Sequence, residues 1–573
     1  MYRYIALLHT RGNNAGNSIE DESLLAAGLR RVAAIGNYSV HASADTPVLR
    51  IASGAIVIGH IFWRDNSAPV DEPLPFATVR PRDLVDRLIR QCWGEYVLLQ
   101  GGRGDRLTIL RDPSGGAGCV YSCTGSFVTS DISLATRAGL FSRQVDWDFI
   151  RDTLAYPHLK TGRTGLSGLR ELLPGRKLQV SRQDLATDEV WTPWEFVSED
   201  HRHRDPREAQ VEVRGAVAST VRAWAEADRS LLLELSGGLD SSIVAACLLE
   251  ANAEVACCNL VTPVPGADER HYARAMSELL QSDLHVRTLR LEGAEFEFRP
   301  PPHAAAPSTW FLQHASNEVK ESIGKQLGVG SYFSGGGGDT VFGYTQTAAP
   351  AADAFRERGA SAGLRAIRDL AELHQCTVWK AGRLTAKKLF GPPKPPRTPE
   401  HSFLAGTSAM VASDLHPWFK APSNALVGDR ERIFDLAGNQ VFRDGIARGG
   451  PWQLRMPLLS QPVMEACLKV PSWMWISGGR NRAVARDAFA HVLPHDILHR
   501  RSKGTFMNYS GAIYRRNRHR LRDFLLNGQL ESRGLLDTHA LLRFFDRDPD
   551  SQGNSFMRIF DLCAAENWVR HQT

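Results

Sequence analysis

The chain has 573 residues, 43% hydrophobic and 23% charged, with 68 Lys and Arg against 63 Asp and Glu for a net charge of +5. That length exceeds one core and predicts several domains. The composition excludes a disordered chain, and so small a charge excludes a nucleic-acid footprint. No run approaches the roughly 20 apolar residues of a membrane span, and Met1–His9 is too short in apolar residues for a signal peptide. The nine cysteines form no CxxC pair and no Cys/His grouping. Reduced thiols and a cytoplasmic location are therefore expected.

Short strands are predicted over Tyr4–His9, Ala55–Trp63, Glu95–Gln100, Leu107–Arg111 and Ser126–Ser130, separated by Gly, Asp and Pro. From Asp205 the texture changes. Helical patterns over Glu208–Ala227 and Arg270–Leu280 alternate with apolar runs Leu231–Leu235, Glu254–Val261 and Leu284–Leu291, which argues for a parallel sheet covered by helices. Cys257 and Cys258 fall inside one of those runs and are expected in a buried strand. The charged stretch Glu199–Pro206 separates the two textures, giving expected domains at 1–198 and 207–573. A region from about Thr345 to Pro399 lacks clear pattern and ends in a Pro-rich run that cannot continue a helix. It is expected to be an irregular insertion over the second domain. Arg515, Arg516, Arg518 and Arg520 are expected on a solvated helix face.

Two glycine motifs carry the chemistry. In the first, apolar Leu231–Leu235 runs into Ser236, Gly237, Gly238, Leu239, Asp240, Ser241 and Ser242, and then directly into an apolar helix pattern. The glycine pair lets backbone N–H groups turn inward, and the helix N-terminus adds its dipole, so the loop suits a phosphate or pyrophosphate. The three serines can donate to phosphate oxygens, and Asp240 can hold Mg²⁺, a hard cation that takes oxygen ligands. The spacing is neither that of a Walker loop nor that of a dinucleotide fingerprint. In the second motif, Tyr332-Phe333-Ser334 is followed by Gly335, Gly336, Gly337 and Gly338 and then by Asp339. Asp339 and Asp240 are expected to share Mg²⁺ on ATP phosphates.

Together the SGGLDSS loop and the SGxGxD segment resemble the asparagine synthetase family, PP-loop ATP pyrophosphatases that form amides through an acyl-adenylate. The resemblance extends to Arg455-Met456-Pro457-Leu458-Leu459, to Gly479-Arg480-Asn481-Arg482 and to Arg500-Arg501-Ser502-Lys503-Gly504. It implies an α/β protein, with a glutaminase-like αββα sandwich preceding an ATP pyrophosphatase domain. By this resemblance Lys503 contacts the α-phosphate and the leaving pyrophosphate. ATP is implied on Ser236–Ser242 and Ser334–Gly335, with Leu235 and Val261 near the adenine. An ammonium at Lys503 also suits charge building on a transferring phosphoryl group.

Trp93-Gly94-Glu95-Tyr96 and Arg111-Asp112-Pro113-Ser114-Gly115 are similar to the class II glutaminase half. That half requires a cysteine nucleophile after the initiator methionine, and here Tyr2 takes its place. Glutamine hydrolysis is therefore not expected. The glutamates of the family's SGEGSDE are also missing, being Gly336 and Thr340 here. The run Pro457–Leu468 and Arg501–Phe506 are similar to lasso-peptide macrolactam synthetases. This resemblance implies macrolactam formation on a ribosomally made core peptide, with a leader peptidase and a leader-recognition protein as partners. Candidates for holding the peptide are 345–399 and 308–318. A small-molecule amide or β-lactam synthetase and a non-catalytic peptide-binding scaffold are the alternatives.

Overall fold

The computed structural model describes residues 2–9, 21–51, 54–72, 76, 79–102, 106–181, 184–266, 268–308, 310–393, 395–407, 414–444, 453–501, 504–548 and 553–572. The N-terminal part holds two six-stranded antiparallel sheets. One contains β1 (Tyr4–Leu8), β2 (Leu29–Ile35), β3 (Tyr38–Ser43), β8 (Val120–Ser122), β9 (Phe127–Thr129) and β10 (Leu169–Glu171), in the order β10-β8-β9-β1-β3-β2. The other contains β4 (Val48–Ile51), β5 (Ala55–Trp63), β6 (Cys92–Gly101), β7 (Leu107–Arg111), β11 (Arg176–Val180) and β12 (Leu185–Glu189), in the order β12-β11-β7-β6-β5-β4.

Period-two alternation explains why both faces of each sheet are buried. On β1, Tyr4 and Ala6 join Ile56, Ile58, Val97 and Leu99 of the second sheet in the core between the sheets. Ile5 and Leu7 point the other way, into a cluster with Phe149 and Ile150. On β5, Val57 and Ile61 face outward, into the core shared with the C-terminal part. The result is the expected layered sandwich.

The second part is built on five parallel strands: β13 (Ser230–Glu234), β14 (Glu254–Val261), β15 (Leu284–Thr288), β16 (Ser331–Ser334) and β17 (Gln453–Arg455), in the order β15-β14-β13-β16-β17. Helix α1 (Pro206–Asp228) leads into β13, α2 (Leu239–Glu250) joins β13 to β14, α3 (Arg270–Leu279) joins β14 to β15, and α4 (Phe311–Leu327) joins β15 to β16. Asp205 caps α1 by accepting from the Arg207 N–H at 2.9 Å, and Pro206 occupies the first turn, where its missing N–H costs nothing. The mixed α/β architecture is thus as expected. Cys257 and Cys258 are buried in β14, and all nine cysteines are free thiols. Arg515, Arg516 and Arg520 are exposed on the helix Met507–Leu526. Among the described residues no helix is long and apolar enough to cross a membrane.

The region 345–399 departs from expectation. It is helical: α5 (Ala349–Arg358), α6 (Ala360–Leu373) and α7 (Val378–Phe390) pack through a core of Ala351, Ala354, Ala366, Ile367, Leu370, Ala371 and Ala381. Alanine gives a weak hydropathy signal but packs helices closely, and this hid the periodicity. Gly359, at φ +79°, turns the chain between α5 and α6, and the Pro-rich run follows the end of α7. Helix α8 (Val427–Asp444) follows and packs against α5.

The two parts meet over a buried ionic cluster. Arg455, at the end of β17, donates to Glu95 of β6 at 2.7 Å and to Asp228 of α1 at 2.7 and 3.1 Å. It also donates to the Tyr2 hydroxyl at 3.0 Å and stacks on Trp224. Burial would raise the Asp228 carboxyl, but the Arg455 guanidinium outweighs it and holds the group below its ordinary value. His60, which bonds the Tyr2 hydroxyl at 2.6 Å, is lowered to about 4 by burial and by Arg455, so it stays neutral.

A second buried cluster lies within the sandwich, where Glu171 accepts from Arg111 at 2.6 Å and from Lys160 at 2.5 Å. Burial raises the Glu171 carboxyl, yet the two cations outweigh it and bring it down to about 2 from an ordinary 4.5. A carboxylate depressed on folding contributes stability above its unfolded value and loses it as pH falls through the folded one. We expect Glu171→Gln to cost roughly 3–5 kcal/mol at neutral pH, because it strands two buried cations. Chemical denaturation should show the gap between variant and parent closing between pH 4.5 and about 2. A gap that is constant with pH would refute the assignment.

Candidate active site

The two glycine motifs fold against each other at the C-terminal ends of β13 and β16. In the first, Gly237 adopts φ +77°, and a Cβ there would meet Tyr272 Cβ at 2.7 Å and the Ala273 nitrogen at 3.0 Å. Gly238 begins α2, and no side chain caps that helix. Its first turn therefore keeps donors for an anion. Ser236 Oγ lies 3.0 Å from Ser241 Oγ and accepts from the Gly238 N–H at 3.3 Å, so the two hydroxyls are held at the mouth of the loop.

The second motif packs directly on that first turn. A Cβ on Gly335 would lie 2.5 Å from the Ser241 nitrogen, and one on Gly338 would lie 2.4 Å from Asp240 Cγ. Gly337, at φ +85°, would strike Leu459 at 2.3 Å. Gly336 differs, since its nearest neighbour is the flexible end of Met456, at 3.1 Å. Three of the four glycines are thus demanded by close approach, and Gly336 faces the cavity.

That cavity measures about 350 Å³. Of the sequence-predicted residues, Ser236, Gly238, Leu239, Asp240, Ser241, Ser334, Gly335 and Asp339 line it. Gly237 shapes the turn behind the wall. Ser242 is fully buried, and its hydroxyl has no hydrogen-bond partner among the described residues. Leu235 and Val261 are buried and do not lie on the wall. The Leu235 N–H donates to the Cys258 carbonyl at 2.8 Å, and its carbonyl accepts from Asn259 at 2.8 Å. Lys503 and Ser502 lie outside the described residues. The flanking chain reaches the cavity: Arg500 lines it, and the Gly504 N–H donates to the wall residue Glu269 at 2.8 Å.

The wall also carries residues to which the sequence assigned no role. Arg482 Nη1 donates to Asp240 at 3.0 and 3.2 Å and to Asp339 at 3.0 Å, so a guanidinium joins the two carboxylates expected to share a metal. Arg482 sits at φ +53° beneath the Tyr344 ring. Arg486 supports it from behind, donating to the Asn481 carbonyl at 3.0 Å and to the Arg500 carbonyl at 3.0 Å. Burial, with Arg482 and Arg480 nearby, lowers Arg486 to about 10, which still leaves it charged at neutral pH. Arg500 pairs with Glu269 and lies over the Tyr272 ring at 4.2 Å. Asn439 of α8 donates to Thr340 Oγ1 at 2.6 Å and ties the second loop to that helix. Three guanidinium groups in one cavity suit a polyphosphate.

The donor set also suits Mg²⁺. Among the described residues no group of three or more His, Cys, Asp or Glu could hold a metal alone. Asp240 and Asp339 supply two hard oxygen donors, and a nucleotide's phosphates and water would complete the shell, as is usual for this ion.

A parallel sheet with a strand–glycine loop–helix anion site, opposed by a second glycine loop bearing a carboxylate, defines the class. Residues 212–570 match the family model for asparagine synthase, and the chain belongs to that family. Among curated proteins it is similar to the carboxyethyl-arginine beta-lactam-synthase of Streptomyces clavuligerus, 26% identical over 279 residues. That match takes in 46% of this chain and 50% of the relative, so the alignment spans about half of either protein.

The crowding at Gly335 has a direct consequence. Gly335→Ala must push the second loop off the first turn of α2, and we expect ATP affinity to fall by at least about tenfold, or about 1.4 kcal/mol. Gly336→Ala, whose methyl meets the flexible end of Met456 at 3.1 Å and Ser334 Oγ at 3.5 Å, should lose less. Calorimetric titration of both variants checks this, and equal affinity for both would remove the close-approach argument.

Proposed function

We propose that this chain is an ATP-dependent, AMP-forming amide ligase that closes a macrolactam on a ribosomally made peptide. The observation that carries the reading beyond nucleotide binding is a second cavity of about 310 Å³, which meets the first at Asp339 and Thr340. A nucleotide in the first cavity leaves the second for another reactant. Its walls include Gly343–Thr347, Ala349 and Pro350 and, from α8, Gly428, Glu431, Arg432 and Asp435.

In this reading an Asp or Glu side-chain carboxylate of the peptide attacks the α-phosphorus of ATP. The α–β P–O bond breaks and pyrophosphate leaves. Arg482, Arg486 and Arg500 stand where charge on the phosphates needs counter-charge, and Lys503 is assigned the α-phosphate by family resemblance. Mg²⁺ held by Asp240 and Asp339 would neutralise phosphate charge when bound. The peptide's N-terminal amine then attacks the acyl carbon, AMP leaves with the acyl–phosphate C–O bond electrons, and the amine's proton passes to solvent. With a pKa of roughly 7.7–8.0, on the order of a tenth to a sixth of an α-amine is neutral at pH 7. The chain's contribution is to hold the two ends together and keep water from the adenylate.

The N-terminal sandwich fits this reading as a part without hydrolytic function. Tyr2, in the place where a glutaminase needs its cysteine, is buried and hydrogen-bonded to His60 and Arg455. The amine must therefore come from a second substrate or from the peptide itself. The run Pro457–Leu468, whose PLLSQP segment is similar to lasso-peptide synthetases, supports the peptide. A leader peptidase and a leader-recognition protein would supply it. A second reading, a small-molecule amide or β-lactam synthetase, is favoured by the similarity to the Streptomyces clavuligerus protein.

The two readings separate in one experiment. Purified protein is incubated with ATP, Mg²⁺ and a leader-free core peptide encoded beside its gene, and peptide mass and AMP are followed together. We expect loss of one water per AMP, with both abolished in Lys503→Ala. AMP formation with small amino-carboxylates and none with peptide would transfer the assignment to a small-molecule synthetase.

A further inference from the structure

The second cavity has a charge pattern that the adenylation chemistry does not use. Its charged lining is Asp339, Glu431, Arg432 and Asp435. Three of these are already committed. Asp339 accepts from Arg482 at 3.0 Å. Glu431 is paired with Lys388 and accepts from Thr347 Oγ1 at 2.6 Å. Arg432 is turned into the protein, donating to the Val470 carbonyl at 2.8 Å and the Cys467 carbonyl at 2.7 Å. Asp435, one turn beyond Glu431 on α8, differs. Its one ion-pair contact among the described residues is a loose one, Arg397 at 3.6 Å, and its side chain keeps 61% of its exposure.

The remaining lining is uncharged and mixed, with Thr345, Gln346 and Gly343 beside Tyr344, Ala349 and Pro350. Apolar contact of this kind does not fix a ligand's orientation, which falls to a charged or hydrogen-bonding group. The position supplies the rest of the argument. The cavity abuts Asp339 and Thr340, at the edge of the site where an acyl-adenylate would form, and the partner that an acyl-adenylate needs next is an amine. An amine arrives mostly as its ammonium, for which an accessible carboxylate is the fitting counter-charge.

We propose that the second cavity is the binding site for the nucleophilic amine and that Asp435 is the carboxylate receiving its ammonium. The inference deepens the amide-ligase reading and rests on it for the identity of the second reactant. It does not depend on whether the amine belongs to a peptide or to a small molecule. The ammonium displaces the loose Arg397 contact and pairs with Asp435, while Glu431 stays engaged by Lys388 and Thr347. Thr345 and Gln346 offer hydrogen bonds to the amide that follows an N-terminal amine. Burial raises the Asp435 carboxyl, Arg397 lowers it and Glu431 raises it again, with a net upward direction; a carboxylate in that state gains from a cation beside it.

Two measurements test this on the full chain. The first uses triglycinamide, an amine with no carboxylate and so no possibility of adenylation, titrated at millimolar concentration by ligand-observed NMR. We expect binding to the parent protein, loss of binding by the N-acetylated probe, about tenfold weaker binding to Asp435→Asn, and recovery in Asp435→Glu. Failure of triglycinamide to bind the parent, or equal binding to Asp435→Asn, overturns the proposal. The isosteric change sits on an exposed helix position, and an unchanged melting temperature shows that the fold is intact.

The second measurement uses the core peptide with ATP and Mg²⁺ and reads how adenylated peptide partitions between closed ring and hydrolysed product. Asp435→Asn is expected to lower that ratio about tenfold, while Glu431→Gln, whose residue is occupied by Lys388, should change it less. A parental ratio in Asp435→Asn overturns the inference and leaves the macrolactam reading standing. If the parent closes no ring, the macrolactam reading fails, and the triglycinamide titration still decides the amine site.

Discussion

A fully buried guanidinium must be matched by counter-charge and hydrogen bonds, or the fold pays its desolvation in full. Arg455 is that group. It is matched by one carboxylate from each half of the chain, Glu95 and Asp228, and by the Tyr2 hydroxyl and the Trp224 ring. Glu95 is matched in turn by Arg443 of α8 at 2.7 Å. No member can move without stranding another. Arg455 ends β17, which pairs with β16, and β16 runs into the second glycine loop. Met456, the next residue, is the neighbour of Gly336. The position of the glycine-loop cavity thus depends on an ion cluster that spans the two halves. This explains how the sandwich is tied to the sheet of the second part. The Tyr2 phenol is a strut in that tie, with its hydrogen bonds to His60 and Arg455.

Much of this was legible wherever the signal is local. Ala55–Trp63, Leu107–Arg111 and Glu254–Val261 form strands with the expected bounds, because β-branched and aromatic runs between turn residues are short-range patterns. The strand–glycine–helix loop was legible for the same reason. What stayed hidden depends on distant pairings. Arg482 lies 242 positions from Asp240 and 143 from Asp339, and nothing in its local sequence marks it as their bridge. Asn439 reaches Thr340 across 99 positions. Each was a polar residue on a helical or turn segment, of a kind usually found in solvent. A charged residue quoted within a family-like run, as Arg482 is, was the one available hint. For Leu235 and Val261 the place at strand ends was legible, but the bonding of the Leu235 backbone to Cys258 and Asn259 was not.

The bridge at Arg482 also shows how the site keeps its charges in balance. The cavity wall carries Glu234, Asp240, Glu269 and Asp339 against Arg482, Arg486 and Arg500. Lys320 takes Glu234 at 3.2 Å, Arg500 takes Glu269, and Arg482 joins the two loop aspartates. Two carboxylates on facing glycine loops repel across the gap that the glycines close, and the guanidinium between them offsets that repulsion. Under the proposed reading, Asp240 and Asp339 would hold the cation that accompanies the nucleotide, and Arg482 between them would supply counter-charge to the phosphates. One residue would therefore serve both the loops and the ligand. The arginine and the glycines answer the same constraint from opposite sides, for the glycines let the loops approach and the guanidinium lets them stay.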